Sequence, residues 1–403
     1  MLLPLVLACV APDIVVPGPT APAVAPVDGP TDAPIEGLSA AWSSRYEEGY
    51  DAFSAIFRSG GGLGPTFINS ACVACHAGAE RGPGAVTKMV VMEGDQPAAD
   101  QSALPWGHTE RPRVAGGGAT PILAPEDVPN LLVTERIGPA VYGRGYLEAI
   151  DDAEIERVEA EQAAAGIVSG RINRVTWSVV AADSPFHTYA DGDTNLIGRF
   201  GHKARITTLD EFAADALQGD MAITSPLRPT ELPNPDDRDD DYALGVDTSL
   251  DTVNRMADFT RLLALPARPP GIELGEGAAY VGATRFTEIG CADCHVPSLR
   301  TRADYPIEPL ADIDAYVYSD LLLHDLGPAM ADGIVDGSAQ SAEWRTAPLI
   351  GLSHSATFLH DGRADTIGEA ILAHGGEAEA AAQAFAALPT DEQVAVEAFV
   401  LAL

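Results

Sequence analysis

The chain contains two copies of a five-residue pattern that could hold an iron cofactor covalently. They read Cys72-Val-Ala-Cys75-His76 and Cys291-Ala-Asp-Cys294-His295, and they use four of the five cysteines among 403 residues. The C-x-x-C-H pattern is typical of c-type haem attachment, in which both cysteines form thioethers with the porphyrin and the histidine ligates the iron. The duplication therefore predicts two covalently bound haem c groups, with His76 and His295 as iron ligands.

Three other uses of paired cysteines explain the pattern less well. A zinc ribbon places its two C-x-x-C halves about 15–20 residues apart, whereas these two lie in different halves of the chain. A thioredoxin-like dithiol explains the cysteines but not a histidine directly after both pairs. Structural disulfides remain open for an exported chain. We take the haem interpretation as the leading one.

Composition and charge restrict the partners of the protein. The formal net charge is −35, hydrophobic residues make up 46% and aromatic residues 6%, which is a globular composition. So acidic a chain is unsuited to nucleic acid or an anionic membrane. It suits a basic redox partner, although solubility alone also explains the charge.

The N-terminal segment resembles a lipoprotein signal. Residues 1–9 end in Leu-Ala-Cys9 after an apolar run, and residues 10–38 are rich in Pro and Ala, as in a tether. We expect a lipid anchor at Cys9, with an unmodified tail as the alternative. Because covalent haem attachment implies export, we expect a periplasmic protein, held at the outer membrane if Cys9 is acylated.

The hydrophobic spacing favours a mainly α fold with long loops and few short strands. Two cytochrome c-like haem domains are expected, over 39–265 and 266–403, with the boundary at a cluster of prolines beginning at Pro266. Residues 81–130 are dense in Gly and Pro and are expected to form loops. A short strand is expected within 171–180. The spacing predicts helices over 39–57, 147–165, 208–217, 251–264, 276–289, 366–374, 377–387 and 390–402.

A faint internal repeat supports two related halves. Residues 200–211, Phe-Gly-His-Lys-Ala-Arg-Ile-Thr-Thr-Leu-Asp-Glu, are similar to residues 359–369, Leu-His-Asp-Gly-Arg-Ala-Asp-Thr-Ile-Gly-Glu. Each copy follows its own C-x-x-C-H motif, at different separations. The N-terminal half is therefore expected to carry the larger insertions.

Further runs, in order, extend the likeness to a known family. The runs are GLGPTFINSACVACH at 62–76, GPAVYGRGYLEAI at 138–150, GRFGHKA at 198–204, GCADCH at 290–295, YSDLLLHDLG at 318–327, RTAPLIGL at 345–352 and FLHDGRADTIGEAILAHGGEA at 358–378. With them the chain resembles the bacterial di-haem cytochrome c peroxidase superfamily, and most of all its branch of di-haem oxidoreductases, or putative peroxidases. The resemblance implies a reactive haem at Cys72/Cys75/His76 and an electron-relay haem at Cys291/Cys294/His295. It also implies hydrogen peroxide as the oxidant and a small redox protein as the electron donor.

The resemblance also implies the second ligand of the relay haem. The peroxidases use a methionine fourteen positions after the histidine of an F-H-D-G run, and the same count from His360 reaches His374. We therefore expect His374 as the distal ligand. Because methionine raises haem potential relative to histidine, a bis-histidine relay haem should be a weaker oxidant. The alternative is a helix-face histidine that caps the turn at Gly375–Gly376.

The resemblance points to Asp220 as the acid–base residue of the reactive haem. Relatives place a glutamate in an E-M-G run, and the corresponding run here is Gly219-Asp220-Met221. Cleavage of peroxide requires a group that moves a proton between the two oxygens. An aspartate that caps a nearby turn is the alternative.

Other residues are weaker candidates. His202 stands where the family often has tryptophan, so it could lie between the haems, ligate iron or only pack. Arg345 and Arg363, like Arg199, are candidates for pairing with haem propionates or for ordinary ion pairs. His324 and His360 are expected to support a haem edge. The sixth ligand of the first iron is open among Met89, Met92, Met221 and His108.

Two acidic runs could bind calcium, as the peroxidases do. They are Asp191–Asn195 and Asp236–Asp241, and solvated loops are the alternative for both.

The leading hypothesis is an exported, peroxidase-like di-haem oxidoreductase. The alternatives are a non-catalytic electron-transfer cytochrome tethered to the membrane, and a haem enzyme that oxidises an organic or protein substrate.

Overall fold

A computed structural model describes residues 31–82, 85–115, 118–177, 184–238, 245–266 and 277–403. It is 36% helical and 15% strand, with several small sheets. The expectation of a mainly α fold is therefore wrong, and the fold is mixed α/β. The difference arises largely within 81–130, where a nine-residue strand replaces an expected loop. Nothing in the structure tests the division into two haem domains, and the expected anchor at Cys9 lies outside the described residues.

Nine α-helices occur in the described part of the chain, and they lie close to the predicted positions. They are α1 (Ala40–Ser54), α2 (Arg144–Ala149), α3 (Asp152–Ala165), α4 (Leu209–Met221), α5 (Leu250–Leu262), α6 (Gly277–Glu288), α7 (Ile367–Leu372), α8 (Glu379–Ala387) and α9 (Thr390–Leu401). The single helix expected over 147–165 is interrupted at Ile150, and the Asp151 side chain then caps α3 by accepting from Ala153 N. No helix among the described residues is long and apolar enough to cross a membrane.

The strands pair only antiparallel and form small sheets. They are β1 (Thr66–Phe67) with β4 (Arg113–Val114), β2 (Ala85–Glu93) with β3 (Gln96–Pro97) and β5 (Leu131–Ile137), β6 (Arg174–Val175) with β7 (Leu196–Ile197), β8 (Leu299–Arg300) with β9 (Asp314–Ala315), and β10 (Leu323–Asp325) with β11 (Glu343–Arg345). The strand expected within 171–180 is present as β6, and part of that range lies outside the described residues. The longest sheet, β3-β2-β5, brings the end of β5 to the first haem motif.

Each C-x-x-C-H motif is supported by a helix pair that meets at a glycine. In the N-terminal part α1 packs on α5, and a Cβ at Gly49 would lie 2.4 Å from the Arg255 carbonyl oxygen. In the C-terminal part α6 packs on α9, and a Cβ at Gly282 would lie 2.0 Å from the Ala395 oxygen. Only glycine allows backbones to approach so closely. Helix α6 leads almost directly into Cys291, so this packing fixes the second motif.

The internal repeat is confirmed as a repeated local structure. An isolated antiparallel bridge joins Phe200 to Ile206 in one copy, and another joins Phe358 to Ala364 in the other. A threonine then caps a helix in both copies, Thr208 for α4 and Thr366 for α7, by accepting from the backbone N–H of the glutamate three residues on.

A buried ionic cluster holds the N-terminal core together. The Arg261 side chain is 1% exposed and bonds to Glu148 (Nε to Oε2, 2.6 Å), Asp210 (Nη2 to Oδ1, 3.1 Å) and Asp258 (Nη1 to Oδ1, 3.1 Å). The Tyr305 hydroxyl, from the C-terminal half, also donates to Glu148 at 2.8 Å. The cluster links α2, α4 and α5 to the segment that follows the second motif.

Candidate functional site

The two C-x-x-C-H motifs adopt the same conformation. Each begins with a single 3-10 turn, and the histidine N–H donates to the carbonyl of the first cysteine, at 2.9 Å for His76 and 3.0 Å for His295. The turn brings both cysteines and the histidine to one side of a short loop. Equal backbone geometry at two distant positions indicates that both motifs present their side chains to the same kind of group.

The state of the cysteines disfavours the alternative disulfide and redox uses. All four are free thiols, so the structural-disulfide alternative is not supported. Burial raises the pKa of the Cys72 and Cys291 thiols to about 12. A redox-active dithiol needs a thiolate of low pKa. These buried thiols, neutral at neutral pH, do not suit that use.

The second motif opens into a large apolar cavity. Its volume is about 430 Å³, and its walls include Cys291, Cys294 and His295 together with His374. The remaining lining is mainly aliphatic, from α7, α8 and the loop over 345–352. Sequence separation between His295 and His374 is large, so their meeting in one cavity is a product of the tertiary fold.

Both imidazoles are held with one nitrogen engaged and the other available. His295 Nδ1 bonds to the Tyr318 carbonyl at 3.0 Å, and His374 Nδ1 bonds to the Ala370 carbonyl at 2.7 Å. An Nδ1–H that donates to a carbonyl leaves the lone pair on Nε2, which is the usual second-shell arrangement of an imidazole metal ligand. Burial lowers the pKa of His295 to about 4, helped by the nearby His374, and burial also lowers the pKa of His374. Both rings are therefore neutral at neutral pH, as iron ligation requires.

The cavity also fits the carboxylates of a haem. Arg144 and Arg345 line it, and in the described part of the chain neither forms an ion pair with a carboxylate. Guanidinium groups are almost always charged, and a buried one needs an anion. The residues present thus match a haem in three respects, namely attachment, axial ligation and charge.

The aromatic wall of the cavity contains His202, predicted from the sequence, and Trp344, which sequence reasoning missed. His202 Nε2 donates to the Ile137 carbonyl at 2.9 Å, and the ring lies edge-on to Trp344 at 6.2 Å. His360 stacks on Trp344 at 3.9 Å, and Lys203 Nζ lies over the same ring at 4.2 Å. With Nε2 already bonded, His202 packs between elements here.

A short backbone segment connects the two sites. The ring of His76 lies against Gly138, where a Cβ would be 2.9 Å from its Cε1 atom. The preceding residue, Ile137, donates from its N–H to the His360 carbonyl at 2.8 Å and accepts from His202. One peptide unit therefore separates the ligand of the first motif from two residues in the wall of the second cavity, the His202 side chain and the His360 backbone.

Asp220, the predicted acid–base residue, lies beside the first motif. Its carbonyl accepts from Ile68 N–H at 2.7 Å, and the adjacent Asn69 side chain contacts Cys75 Sγ at 3.4 Å. Burial raises the pKa of Asp220 to about 6, while Lys88 opposes this rise and Asp215 adds to it. A carboxyl group with a pKa near the working pH is suited to move protons.

Several predicted residues lie away from this chemistry. Arg363 is outside the cavity lining and pairs with Asp361 at 2.6 Å. Arg199 pairs with Asp152. Met89 belongs to an apolar cluster with Leu104 and Ile122.

Calcium binding stays a prediction. Only one group of three potential metal-ligating side chains occurs among the described residues, and it comprises Cys294, Asp320 and His324 rather than the predicted acidic runs. Asp193 instead accepts from Ala190 N–H at 2.8 Å. Part of the run over 236–241 lies outside the described residues.

A hydrogen-bonded hub that sequence reasoning missed holds the turn after His374. Glu377 accepts from Ser169 N–H at 2.8 Å and bonds to His324 Nδ1 at 3.0 Å. His324 in turn bonds to Asp320 through Nε2 at 2.8 Å. Burial lowers the pKa of His324, but its bonds to Asp320 and to Cys294 Sγ outweigh this and raise the pKa to about 11. His324 therefore forms a charged pair with Asp320 beside Cys294, and its expected role at a haem edge stays a prediction.

Two attachment motifs, a cavity with two neutral imidazoles, and buried arginines that pair with no carboxylate among the described residues are the features of a haem-binding protein. One carboxyl group of raised pKa, that of Asp220, lies beside the first motif. The sequence model of the family described as "Di-haem oxidoreductase, putative peroxidase" matches residues 116–403, so the chain belongs to that family. The match includes Cys291–His295 and Asp220 but begins after Cys72–His76.

Other comparisons add little. No curated protein matches the chain in sequence. A solved structure of Kuenenia stuttgartiensis hydrazine synthase, pressurised with 20 bar xenon, is similar with a TM-score of 0.40 and 13% identity, covering 98% of this chain and 100% of that one. A similarity at this level does not assign a function.

Proposed function

We propose that this protein is an exported di-haem c-type oxidoreductase of the peroxidase kind, with a reactive haem at Cys72/Cys75/His76 and a relay haem at Cys291/Cys294/His295. The proposal depends on a difference between the two sites, a second imidazole at one and an ionisable carboxyl group at the other. The second cavity holds a second imidazole, that of His374, which would complete the coordination of an iron there. Beside the first motif stands Asp220, whose pKa burial raises to about 6.

The reaction would convert hydrogen peroxide, two electrons and two protons into two molecules of water. A bound haem supplies the redox chemistry, and the protein supplies position and proton transfer. Asp220 in its ionised form takes a proton from the near oxygen of peroxide and returns it to the leaving oxygen, which then departs as water. The two protons consumed in the overall reaction both come from solvent, and they complete the second water on the remaining oxygen.

The path between the sites supports electron relay through the second haem. Gly138 touches the His76 ring, and Ile137 is hydrogen-bonded to His202 and His360. A chain of covalent and hydrogen-bonded contacts therefore runs from the ligand of the reactive site to the wall of the relay site. His374 in place of methionine favours a low-potential relay haem.

The charge of the chain supports the choice of donor. A formal charge of −35 favours association with a small basic redox protein, since complementary charge raises association rates. Export to the periplasm follows from covalent haem attachment, and acylation at Cys9 would hold the protein at the outer membrane.

One set of spectra and one kinetic assay test the proposal. The purified holoprotein should contain two haems that stay attached after denaturation. EPR of the oxidised form should show one bis-histidine haem that is lost in His374→Ala. The reduced protein should then turn over hydrogen peroxide with a chemical electron donor.

Three results would redirect the assignment. Colourless denatured protein would refute covalent haem. Two saturated haems that bind neither cyanide nor peroxide would favour the electron-transfer cytochrome. Peroxide consumption that requires an added organic or protein substrate would favour an oxidase of that substrate.

A further inference from the structure

Two arginines that line the second cavity, Arg144 and Arg345, form no ion pair with a carboxylate in the described part of the chain. Arg144, the first residue of α2, donates from Nε to the Ala140 carbonyl at 2.7 Å. Arg345 donates from Nη1 to the Thr346 carbonyl at 2.8 Å and from Nε to the Gly201 carbonyl at 3.2 Å. All of these acceptors are neutral. Among the described residues neither arginine pairs directly with a carboxylate, although Asp320 partly offsets the charge of Arg345 from further away.

Their environment differs from that of other arginines in the chain. Arg136, Arg171 and Arg261 each form ion pairs with carboxylates. Burial, by contrast, lowers the pKa of Arg345 to about 9, and the neighbouring Arg144 adds to the effect. Two like charges held close together in a cavity are costly unless an anion joins them.

The position of the pair is between the two haem sites. Both arginines line the cavity that contains His295 and His374. Arg144 is also connected to the first site, because its Nε donates to the Ala140 carbonyl and the next residue, Val141, donates from its N–H to the Ala79 carbonyl at 2.9 Å, three residues after His76. An anion bound by the pair would therefore lie on the side of the second site that faces the first.

We propose that Arg144 and Arg345 together bind a propionate group of the haem attached at Cys291 and Cys294, on the side that faces the first haem. A carboxylate accepts two parallel hydrogen bonds from a guanidinium group, which fixes its position as well as its charge. The inference rests on the proposed presence of this haem. It makes Arg144 a positioning residue that sequence reasoning did not identify, because the sequence does not show that this arginine lines a cavity.

The expected consequence is electrostatic. A nearby cation favours the ferrous over the ferric state, so removal of the Arg144 charge should lower the reduction potential of the second haem. We expect Arg144→Gln to raise the ferric-to-ferrous ratio of that haem about tenfold at a given potential, which for a one-electron couple is about 59 mV. Arg144→Lys, which keeps the charge, should stay within about threefold of the unmodified protein.

The test uses the full-length holoprotein and spectroelectrochemical titration of each haem. The variants are Arg144→Gln, Arg144→Lys and Arg345→Gln, with Arg157→Gln as the matched control, since Arg157 is exposed on α3 and pairs with Glu154 and Glu161. Haem content per chain is measured first. Arg345→Gln should shift the reduction potential of the second haem in the same direction as Arg144→Gln. The control variant should shift the potential of neither haem.

The outcomes separate this inference from the function on which it rests. Fewer than two haems in the unmodified protein would overturn the proposed function. If the protein holds two haems and the ferric-to-ferrous ratio of the second haem changes less than twofold in both glutamine variants, only the propionate assignment would be overturned. An equal lowering of the second-haem potential in Arg144→Gln and Arg144→Lys would also overturn the assignment, because the effect would then follow side-chain shape rather than charge.

Discussion

Replacement of Asp220 by asparagine should make the protein more stable and much less active. The variant keeps the size and the hydrogen-bonding capacity of the side chain and removes its ability to ionise. Asp220 lies near the end of α4, where its carbonyl bonds to Ile68 and Asn69 just before Cys72. Burial raises its pKa from 3.8 to about 6.

The size of the stability effect follows from that shift. One pKa unit corresponds to about 1.36 kcal/mol, so ionised Asp220 costs the folded state about 3 kcal/mol relative to the unfolded chain. Below pH 3.8 the carboxyl is protonated in both states and there is no cost. Stability falls as pH rises from 3.8 to about 6, because the unfolded chain ionises first. Above that range Asp220→Asn should be more stable by up to about 3 kcal/mol.

The effect on activity has the opposite sign. Loss of a general acid–base group lowers rates by roughly 10²–10⁴-fold. In the unmodified protein the reaction of the reduced form with peroxide should slow below about pH 6, since ionised Asp220 accepts the first proton. In the variant that pH dependence should disappear.

The effect on stability is measured by urea denaturation between pH 4 and pH 8, and the effect on activity by stopped-flow mixing with peroxide. Asp127→Asn, at an exposed turn, is the control and should change neither stability nor rate. Rates within threefold of the unmodified protein, with the slowing near pH 6 retained, would refute the role of Asp220. Unchanged stability above pH 6 would refute the burial argument itself.

Three further variants test the sites and the core. Gly138→Ala should place a Cβ 2.9 Å from His76 Cε1 and displace that ring, so the EPR signal of the first haem should change while the second is unaltered. His374→Met should raise the potential of the second haem by on the order of 0.1 V, a fraction of the roughly 0.8 V range that axial ligands span, as measured by potentiometric titration. Arg261→Ala should lower the free energy of unfolding by about 3–5 kcal/mol in urea, because it leaves three buried carboxylates without their cation.

Each of these variants has a control or a contrary result. Gly60→Ala, with open space around its Cβ, should leave both haems unchanged. A second-haem potential that stays the same in His374→Met would exclude His374 as a ligand. Arg157→Ala on the surface of α3 should change the free energy of unfolding by no more than about 0.5 kcal/mol. An equally small change in Arg261→Ala would show that the buried cluster is dispensable.

The helical elements follow from local sequence. Thr208 and Thr366 cap α4 and α7 as their spacing to glutamate predicts, and the local interactions involve residues three apart. The strand β2 was missed because its partner β5 lies about forty residues further along, and isolated strands have no stability of their own.

The attachment motifs, the count from His360 to His374 and the choice of Asp220 are all readable from the sequence by itself, because attachment chemistry and family spacing are recorded along the chain. The sequence does not show which arginine faces the cavity. Arg144 does so while Arg363 pairs with its neighbour Asp361. That distinction depends on burial and on partners far away in sequence, and only the tertiary structure decides which charges are left without a counterion.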